Sequence, residues 1–116
     1  MKNAVRIFNV EMDLPTVEEA RRMVAEEIRR AKREGVRVLK VIHGYGSSGK
    51  GGALCVALRK SFKLRIKEGV IRDFVAGEDF SIFNATTLSM LEAAPDLRGD
   101  SDLNATNEGV TVLWLK

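Results

Sequence analysis

The residues from Val38 to Gly52 combine a titratable ring with a glycine-rich turn. Strand-forming residues end in His43, the only histidine, and five glycines, two serines and a lysine follow before an apolar helical pattern begins. A strand that leads through such a turn into a helix is a common way to build a phosphate site. An imidazole at the strand end can exchange a proton with a phosphate or with the hydroxyl that attacks it. Gly44 and Gly46 would let the backbone approach closely, because they carry no Cβ atom.

Two familiar glycine patterns match this segment only in part. Residues 44–49 fit the dinucleotide pattern G-x-G-x-x-G. However, the next predicted strand, from Val70 to Ala76, offers no acid at its tip for a ribose, and the chain lacks a second mononucleotide half. The start of a P-loop is also present, but Gly51 stands where a Ser or Thr should hold Mg²⁺. Neither a dinucleotide site nor an NTPase is therefore expected.

Several side chains near the turn could contact a nucleic acid. Lys50 can neutralise phosphate charge, and Tyr45 could stack on a base. The outer face of the following helix carries Arg59, Lys60 and Lys63, whose phosphate contacts would be independent of sequence and sensitive to salt. The alternative for His43 is a structural histidine, satisfied by hydrogen bonds within a tight turn, and the sequence leaves both interpretations open.

Strand and helix patterns alternate along the 116 residues. Strands are predicted at Ala4 to Met12, Val36 to Ile42, Val70 to Ala76 and Val110 to Leu115, with helices after Thr16, after Gly52 and over Thr86–Ala93. The first helix should open with a capping box of Thr16 and Glu19. The predicted core faces of the first two helices are Val17, Ala20, Val24, Ile28 and Ala31, and Leu54, Leu58 and Phe62. The order β-α-β-α-β-(α)-β predicts an α/β two-layer sandwich. The chain is expected to form one domain, 1–116, with a long connection at about 77–109. Residues Asp96 to Gly109 are expected to be a mobile surface loop.

Charge is divided unevenly along the chain. Residues 1–67 carry a net charge of +9 and residues 68–116 carry −6, which together give +3. A basic front segment suits a polyanion such as nucleic acid. No apolar run is long enough to span a bilayer, and no export signal is evident, so no membrane partner and a cytoplasmic location are expected. The single cysteine, Cys55, is predicted to be a buried structural thiol.

Motifs in four places, taken in order, give the chain a family resemblance. Met12-Asp13-Leu14 looks like the start of an LDxH segment, and Thr16-Val17-Glu18-Glu19-Ala20 like the helix opening that follows it. Val38–Gly46 matches a strand and HGxG loop, and Gly109–Val112 a closing strand. In these features the chain resembles the small MutS-related (Smr) domain family. The resemblance implies a mixed sheet and a fold like the C-terminal domain of translation initiation factor 3. It marks the connection at about 77–109 as an insertion.

The resemblance also implies nucleic-acid binding and, in several members, nicking or endonuclease activity. Asp13 stands at the aspartate of LDxH, and His43, Gly44 and Gly46 stand at HGxG. The chain departs from the family at Pro15, where members commonly have the histidine of LDxH. Hydrolysis of a phosphodiester would then use His43 as acid or base with Asp13 orienting it. Ribosomes and repair intermediates are both conceivable targets.

The sequence leaves catalysis and pure binding both open. No cofactor and no metal cluster are predicted, although Asp13 with another acid could hold one Mg²⁺. One alternative is an interaction module that uses the long connection, whose apolar residues are expected to cover either the core or a partner: Phe80, Ile82, Phe83, Leu88, Met90 and Leu91. Another is a binder of small phosphate ligands. A further hypothesis, from charge alone, is that the acidic loop from Asp96 to Glu108 folds over the basic site and restrains it.

Overall fold

The computed structural model describes residues 4–12, 15–45 and 50–116, and for residues 50 and 51 it describes the backbone alone. Within these ranges four strands and three α-helices alternate along the chain. They are β1 (Val5–Asn9), α1 (Val17–Arg33), β2 (Val38–Ile42), α2 (Lys50–Lys67), β3 (Ile71–Ala76), α3 (Ala85–Ala93) and β4 (Val110–Leu115). Two short 3₁₀ turns, Gly77–Asp79 and Pro95–Gly99, flank α3.

Helix α1 begins with the predicted capping box. The Thr16 hydroxyl accepts a hydrogen bond from the Glu19 amide at 3.1 Å, and the Thr16 amide donates to the Glu19 carboxylate at 3.0 Å. Acids occupy the first turn and bases the last turn, as the helix dipole favours. The helix ends before Gly35, whose φ of 77° is the left-handed conformation that glycine adopts without strain.

The first two strands are shorter than predicted, and hydrogen bonds explain where they stop. After Asn9 the amides of Val10 and Glu11 both donate to the Ile42 carbonyl, which ends the regular ladder of β1. The Val36 amide donates back to the Ala31 carbonyl, so this residue belongs to the exit from α1 rather than to β2. The last strand has the predicted bounds.

The four strands form one mixed sheet in the order β1-β2-β4-β3. Strands β1 and β2 are parallel, with Val5 opposite Val38, whereas β4 is antiparallel to both β2 and β3. The two central strands are accordingly buried along nearly their whole length. The predicted α/β fold with a mixed sheet is confirmed.

Helices α1 and α2 cover one face of the sheet. The predicted core side chains of both helices are buried against the sheet residues Leu39, Val41 and Leu113. The fully buried helix residues are Ala20, Val24, Ile28 and Ala31 from α1 and Leu54, Leu58 and Phe62 from α2, whereas Val17 is only partly buried. This face therefore carries the helical layer that the periodicity of the sequence indicates.

The segment from Gly77 to Gly109 covers the opposite face. Phe80, Met90, Leu91 and Leu97 are buried there against Val38 and neighbouring residues of the sheet. Of the six apolar residues singled out in this connection, the other three remain partly or wholly exposed: Ile82, Phe83 and Leu88. Of the two roles expected for these apolar residues, Phe80, Met90 and Leu91 therefore take the first and cover the core.

A buried ion cluster ties this segment to the sheet. The Lys40 ammonium donates to Asp100 at 2.9 Å and to Asp102 at 2.6 Å, and the Lys40 side chain is only 4% exposed. The expectation of a surface loop holds for residues 104–108, which are exposed, but Leu97 is fully buried and Asp100 nearly so. Asp100 and Asp102 bind Lys40 on the sheet face opposite α2, whereas Glu108 near the end of the loop contacts α2, since its carbonyl accepts from the Arg59 guanidinium at 3.3 Å.

Candidate nucleic-acid interface

His43 follows β2 on the sheet face that the two long helices cover. Its side chain is fully buried. The amides of His43 and Gly44 both donate to the Gly109 carbonyl, each at 3.0 Å, which extends the pairing of β2 with β4. The Gly44 amide is therefore used inside the protein and not free for a phosphate.

The hydrogen bonds of the His43 ring define its tautomer. Nδ1 lies 2.8 Å from the Gly44 carbonyl, which can only accept, so Nδ1 carries the proton. Nε2 then accepts from the Thr111 hydroxyl at 2.8 Å, and that hydroxyl accepts from Nε of Arg59 at 3.0 Å. Burial, together with the nearby Arg59 charge, lowers the pKa of His43. The ring is thus held neutral with both nitrogens engaged.

Arg59 is the centre of a network that joins α2 to two other elements. Its guanidinium makes two hydrogen bonds of 2.8 Å to the Glu78 carboxylate and one of 3.0 Å to the Val110 carbonyl. Burial alone would raise the pKa of Glu78, but the Arg59 hydrogen bonds hold it below its ordinary value. The structure places the predicted phosphate contact Arg59 inside this network, facing a carboxylate.

Sequence reasoning missed Thr111 and Glu78, which complete the surroundings of His43. Thr111 is the one polar residue among the first five of β4, and it is fully buried, so it needs a hydrogen-bond partner. Glu78 follows directly after β3 in the 3₁₀ turn, next to an apolar run. A lone polar residue in a buried strand was the available signal for Thr111, whereas nothing local indicated Glu78.

An open cleft of about 500 Å³ lies beside the loop. Gly44, Tyr45 and Asn107 line it together with the carboxylates of Glu11 and Glu108. Tyr45 is 57% exposed, so its ring is free to stack on a base. Gly44 has a φ of 78°, and its Cα lies against the Glu11 carboxylate, so only glycine fits here without a shift. Two carboxylates make the cleft better suited to a base or sugar than to a phosphate.

The predicted lysines of α2 lie on the protein surface. Lys60 and Lys63 are exposed, as is Lys67 one turn further on. Within the described ranges none of the three makes an ion pair. They differ in this from Arg59 on the same helix and remain available to an external anion.

Three predicted site residues are not placed by the structure. Asp13 and Gly46 lie outside the described residues, and so does the side chain of Lys50, whose backbone begins α2. The predicted pairing of Asp13 with His43 therefore stays a prediction. Among the residues that the structure does describe, no group of three His, Cys, Asp or Glu side chains is placed to hold a metal ion.

Cys55 is buried beneath the same region, as predicted. Its Sγ lies 4.0 Å from the Glu108 carbonyl, and burial raises the pKa of the thiol. A protonated, inaccessible thiol is a packing residue rather than a nucleophile. None of the helices in the described ranges is long and apolar enough to cross a membrane.

Comparisons with known proteins define the family. The family model of the Smr domain matches residues 12–77, which is more than half of the chain, and the chain belongs to this family. Among solved structures it matches the Smr domain of Thermus thermophilus MutS2 with a TM-score of 0.59. That match covers 96% of this chain and 98% of the other at 20% sequence identity, so it shows a shared fold. A search of curated proteins gave no significant match.

Proposed function

We propose that this Smr domain binds nucleic acid, with the exposed lysines of α2 contacting backbone phosphates. The observation that carries the proposal is the row of exposed cations formed by Lys60, Lys63 and Lys67, none of which is paired with an acid in the described part of the chain. Residues spaced by three and four positions share one face of a helix. The row spans about 10 Å, since each helical residue rises about 1.5 Å. It therefore offers charge to about three successive phosphates of one strand.

The rest of α2 keeps these lysines available. Between Lys50 and Lys67 the helix contains no acidic residue, so no carboxylate on the same helix competes with a phosphate. Three acids of the second half of the chain are engaged by other cations: Glu78 by Arg59, and Asp100 and Asp102 by Lys40 on the opposite face. The uneven charge along the sequence thus becomes a basic outer surface on α2.

The loop contributes to this proposal through Tyr45 and Gly44. An exposed aromatic ring at the rim of a polar cleft offers a stacking platform for one unpaired base. The carboxylates of Glu11 and Glu108 could then accept hydrogen bonds from the base and sugar edges, whereas the Asn107 side chain is already hydrogen-bonded to Asp102 and to the Gly109 amide. Single-stranded segments, whose bases are free to unstack, are accordingly the preferred ligand in this proposal.

Phosphodiester hydrolysis at the loop is the second candidate function. Its support is the cleft that adjoins the His43 segment, together with the family. In the described arrangement the His43 ring is buried and neutral, so it would have to leave its place beneath α2 to touch a substrate. We therefore assign His43 first to holding the loop and only second to proton transfer.

Fluorescence anisotropy with labelled single- and double-stranded RNA and DNA tests the binding proposal. Affinity should fall steeply between about 50 and about 200 mM salt, and Lys63→Gln should reduce the slope of log K against log salt by about 1. Arg98→Gln is the matched control, because it removes one exposed charge on the opposite face. Absent or salt-independent binding would overturn the proposal.

A nicking assay on the same samples tests the second candidate. Cleavage that survives His43→Ala would come from a contaminating nuclease. Loss of cleavage in His43→Ala, with binding to the oligonucleotides retained, would support a catalytic role. Binding and cleavage are thus both measured on the same protein samples.

A further inference from the structure

A second cleft, of about 290 Å³, opens at the end of the sheet remote from the glycine loop. It lies where β2 begins and β4 ends, so the length of the sheet separates it from His43. Four cations from different elements line it: Lys32 of α1, Arg37 before β2, Arg72 of β3 and Lys116 after β4. Among the described residues that line the cleft, none has an acidic side chain. Such a concentration of one sign of charge raises the local concentration of anions.

Nearby carboxylates do not neutralise this cleft. In the part of the chain that the structure describes, none of the four cations is in an ion pair. Of the acids next to lining residues in sequence, Glu34 is paired with Arg6, Asp73 accepts from the Phe74 amide and the Thr86 hydroxyl, and Glu92 is exposed. The four like charges repel one another without internal compensation, so an anion bound among them would relieve that repulsion.

Two of the cations are held in place. The Arg72 guanidinium lies 5.0 Å from the centre of the Trp114 ring, a stacking contact that leaves the edge N–H groups of the guanidinium free. Lys32, which also lines the cleft, donates to the Val70 carbonyl at 2.7 Å, and this hydrogen bond holds its ammonium in place. Fixed donors lose less conformational entropy on binding than free side chains do. Lys32 lies in the last turn of α1, where the helix dipole favours a cation. No such preference explains Arg37, which precedes β2, or Arg72, which lies in β3.

We propose that this cleft binds a phosphate-bearing anion, either a free polyphosphate or a backbone segment of a nucleic acid. Planar guanidinium groups match the oxygen geometry of phosphate. The volume lies just below the range of about 300 Å³ at which small-molecule pockets begin, which fits a short polyphosphate or one nucleotide unit. The site is separate from the α2 lysines and does not depend on the function proposed above.

Trp114 makes the site directly measurable, because it is the only tryptophan of the chain. Inorganic tripolyphosphate, titrated without divalent cations, should give a saturable change in its fluorescence. In Arg37→Gln/Lys116→Gln the dissociation constant should rise by roughly tenfold to hundredfold, since two charge-assisted contacts are lost. Both side chains are exposed, and unchanged denaturant unfolding of the variant shows that the fold is intact.

Arg22→Gln/Arg98→Gln, which removes two exposed charges outside both proposed phosphate surfaces, is the matched control and should stay within about twofold of wild type. No saturable change, or an equal loss in both double variants, would overturn the site, because general charge attraction would then explain the response. A single-stranded oligonucleotide that displaces tripolyphosphate identifies a backbone phosphate as the source, and one that binds without displacing it identifies a free polyphosphate. Oligonucleotide binding that fails altogether would refute the function of α2 and leave the tripolyphosphate result standing.

Discussion

The Thr111 hydroxyl donates a hydrogen bond of 2.8 Å to Nε2 of His43. Because the same hydroxyl accepts from Arg59, its single proton has one direction to point, toward the ring. Three hydrogen bonds are therefore connected in series: the Arg59 guanidinium donates to the Thr111 hydroxyl, this hydroxyl donates to the His43 ring, and the ring donates to the Gly44 carbonyl. The histidine of the glycine loop is thus part of the interior, connected to α2 and to β4.

Stability should fall as the pH is lowered through the histidine range. The pKa of His43 lies below its ordinary value of 6.5 in the folded protein, so below about pH 6.5 the unfolded chain binds a proton that the folded chain does not. The free energy of unfolding should then decrease by up to about 1.4 kcal/mol per pH unit until the folded pKa is reached. Urea unfolding between about pH 7.5 and pH 5 measures this slope.

His43→Gln is the control for that experiment and should remove the slope in this window. The lowered pKa values of Glu78 and Asp102 act only below about pH 4.5, so they leave the window unaffected. Nitrogen-15 NMR of the single histidine should show a neutral ring protonated at Nδ1. A ring that titrates near 6.5 like a free histidine would contradict the buried hydrogen bonds.

Removing the Arg59 side chain should destabilise the fold strongly. Arg59→Met leaves the Glu78 carboxylate and the Thr111 hydroxyl without their donor, and we expect a loss of about 2–4 kcal/mol in the free energy of unfolding. Arg65→Met is the matched control: its contact with Glu68 is 3.8 Å long and exposed, so it should cost less than about 1 kcal/mol. Equal losses in chemical denaturation of the two variants would show that the network adds nothing.

The ion cluster of Lys40 should govern how firmly the segment after α3 is held. Asp100→Asn/Asp102→Asn leaves a buried ammonium without an anion and should cost about 3–5 kcal/mol. Adding Lys40→Met to this double variant should recover much of the loss, because no buried charge then remains. Hydrogen exchange of residues 96–109 and urea unfolding report the two effects. A triple variant no more stable than the double variant would contradict the ion-pair explanation.

Alanine at three glycines should separate backbone strain from steric conflict. Gly44→Ala should cost about 1–2 kcal/mol, since its φ of 78° is left-handed and the colliding Glu11 side chain can move aside. Gly77→Ala should cost more, because the new Cβ would meet the Asn107 and Val110 carbonyls, which cannot move without the chain. Gly99→Ala meets nothing and should be neutral. Thermal unfolding that ranks the three otherwise would contradict these assignments.

Local patterns were enough to predict the architecture. The capping box at Thr16, the core faces of α1 and α2, and the apolar β2 are properties of neighbouring residues, and each is confirmed. The family was also accessible, because its motifs are short runs of consecutive residues. The burial of His43 was not predictable in this way, since it depends on Thr111 and Arg59, which are distant in the sequence.

The cover of the second face was predicted only as one of two roles for the connection, and the contacts that hold it were not predictable for the same reason. Lys40 gave the one available signal, because a lysine between Leu39 and Val41 in a central strand needs a buried anion. Which anion it meets depends on the path of the chain after α3, and no periodicity encodes that path. In the sequence, the stretch that contains Asp100 and Asp102 therefore has the composition of an ordinary polar loop.

The position of β4 has a consequence for the order in which the molecule assembles. This strand is the last in sequence, yet it lies between β2 and β3 and joins Ile42 to Val110. Until β4 has left the ribosome, β3 has no strand to pair with, and β2 is paired only with β1. Pairings between such distant residues raise the contact order and slow folding. The nascent chain therefore stays incompletely folded until synthesis of residues 110–115 is finished, and during that time its unpaired strands are candidate sites for chaperones.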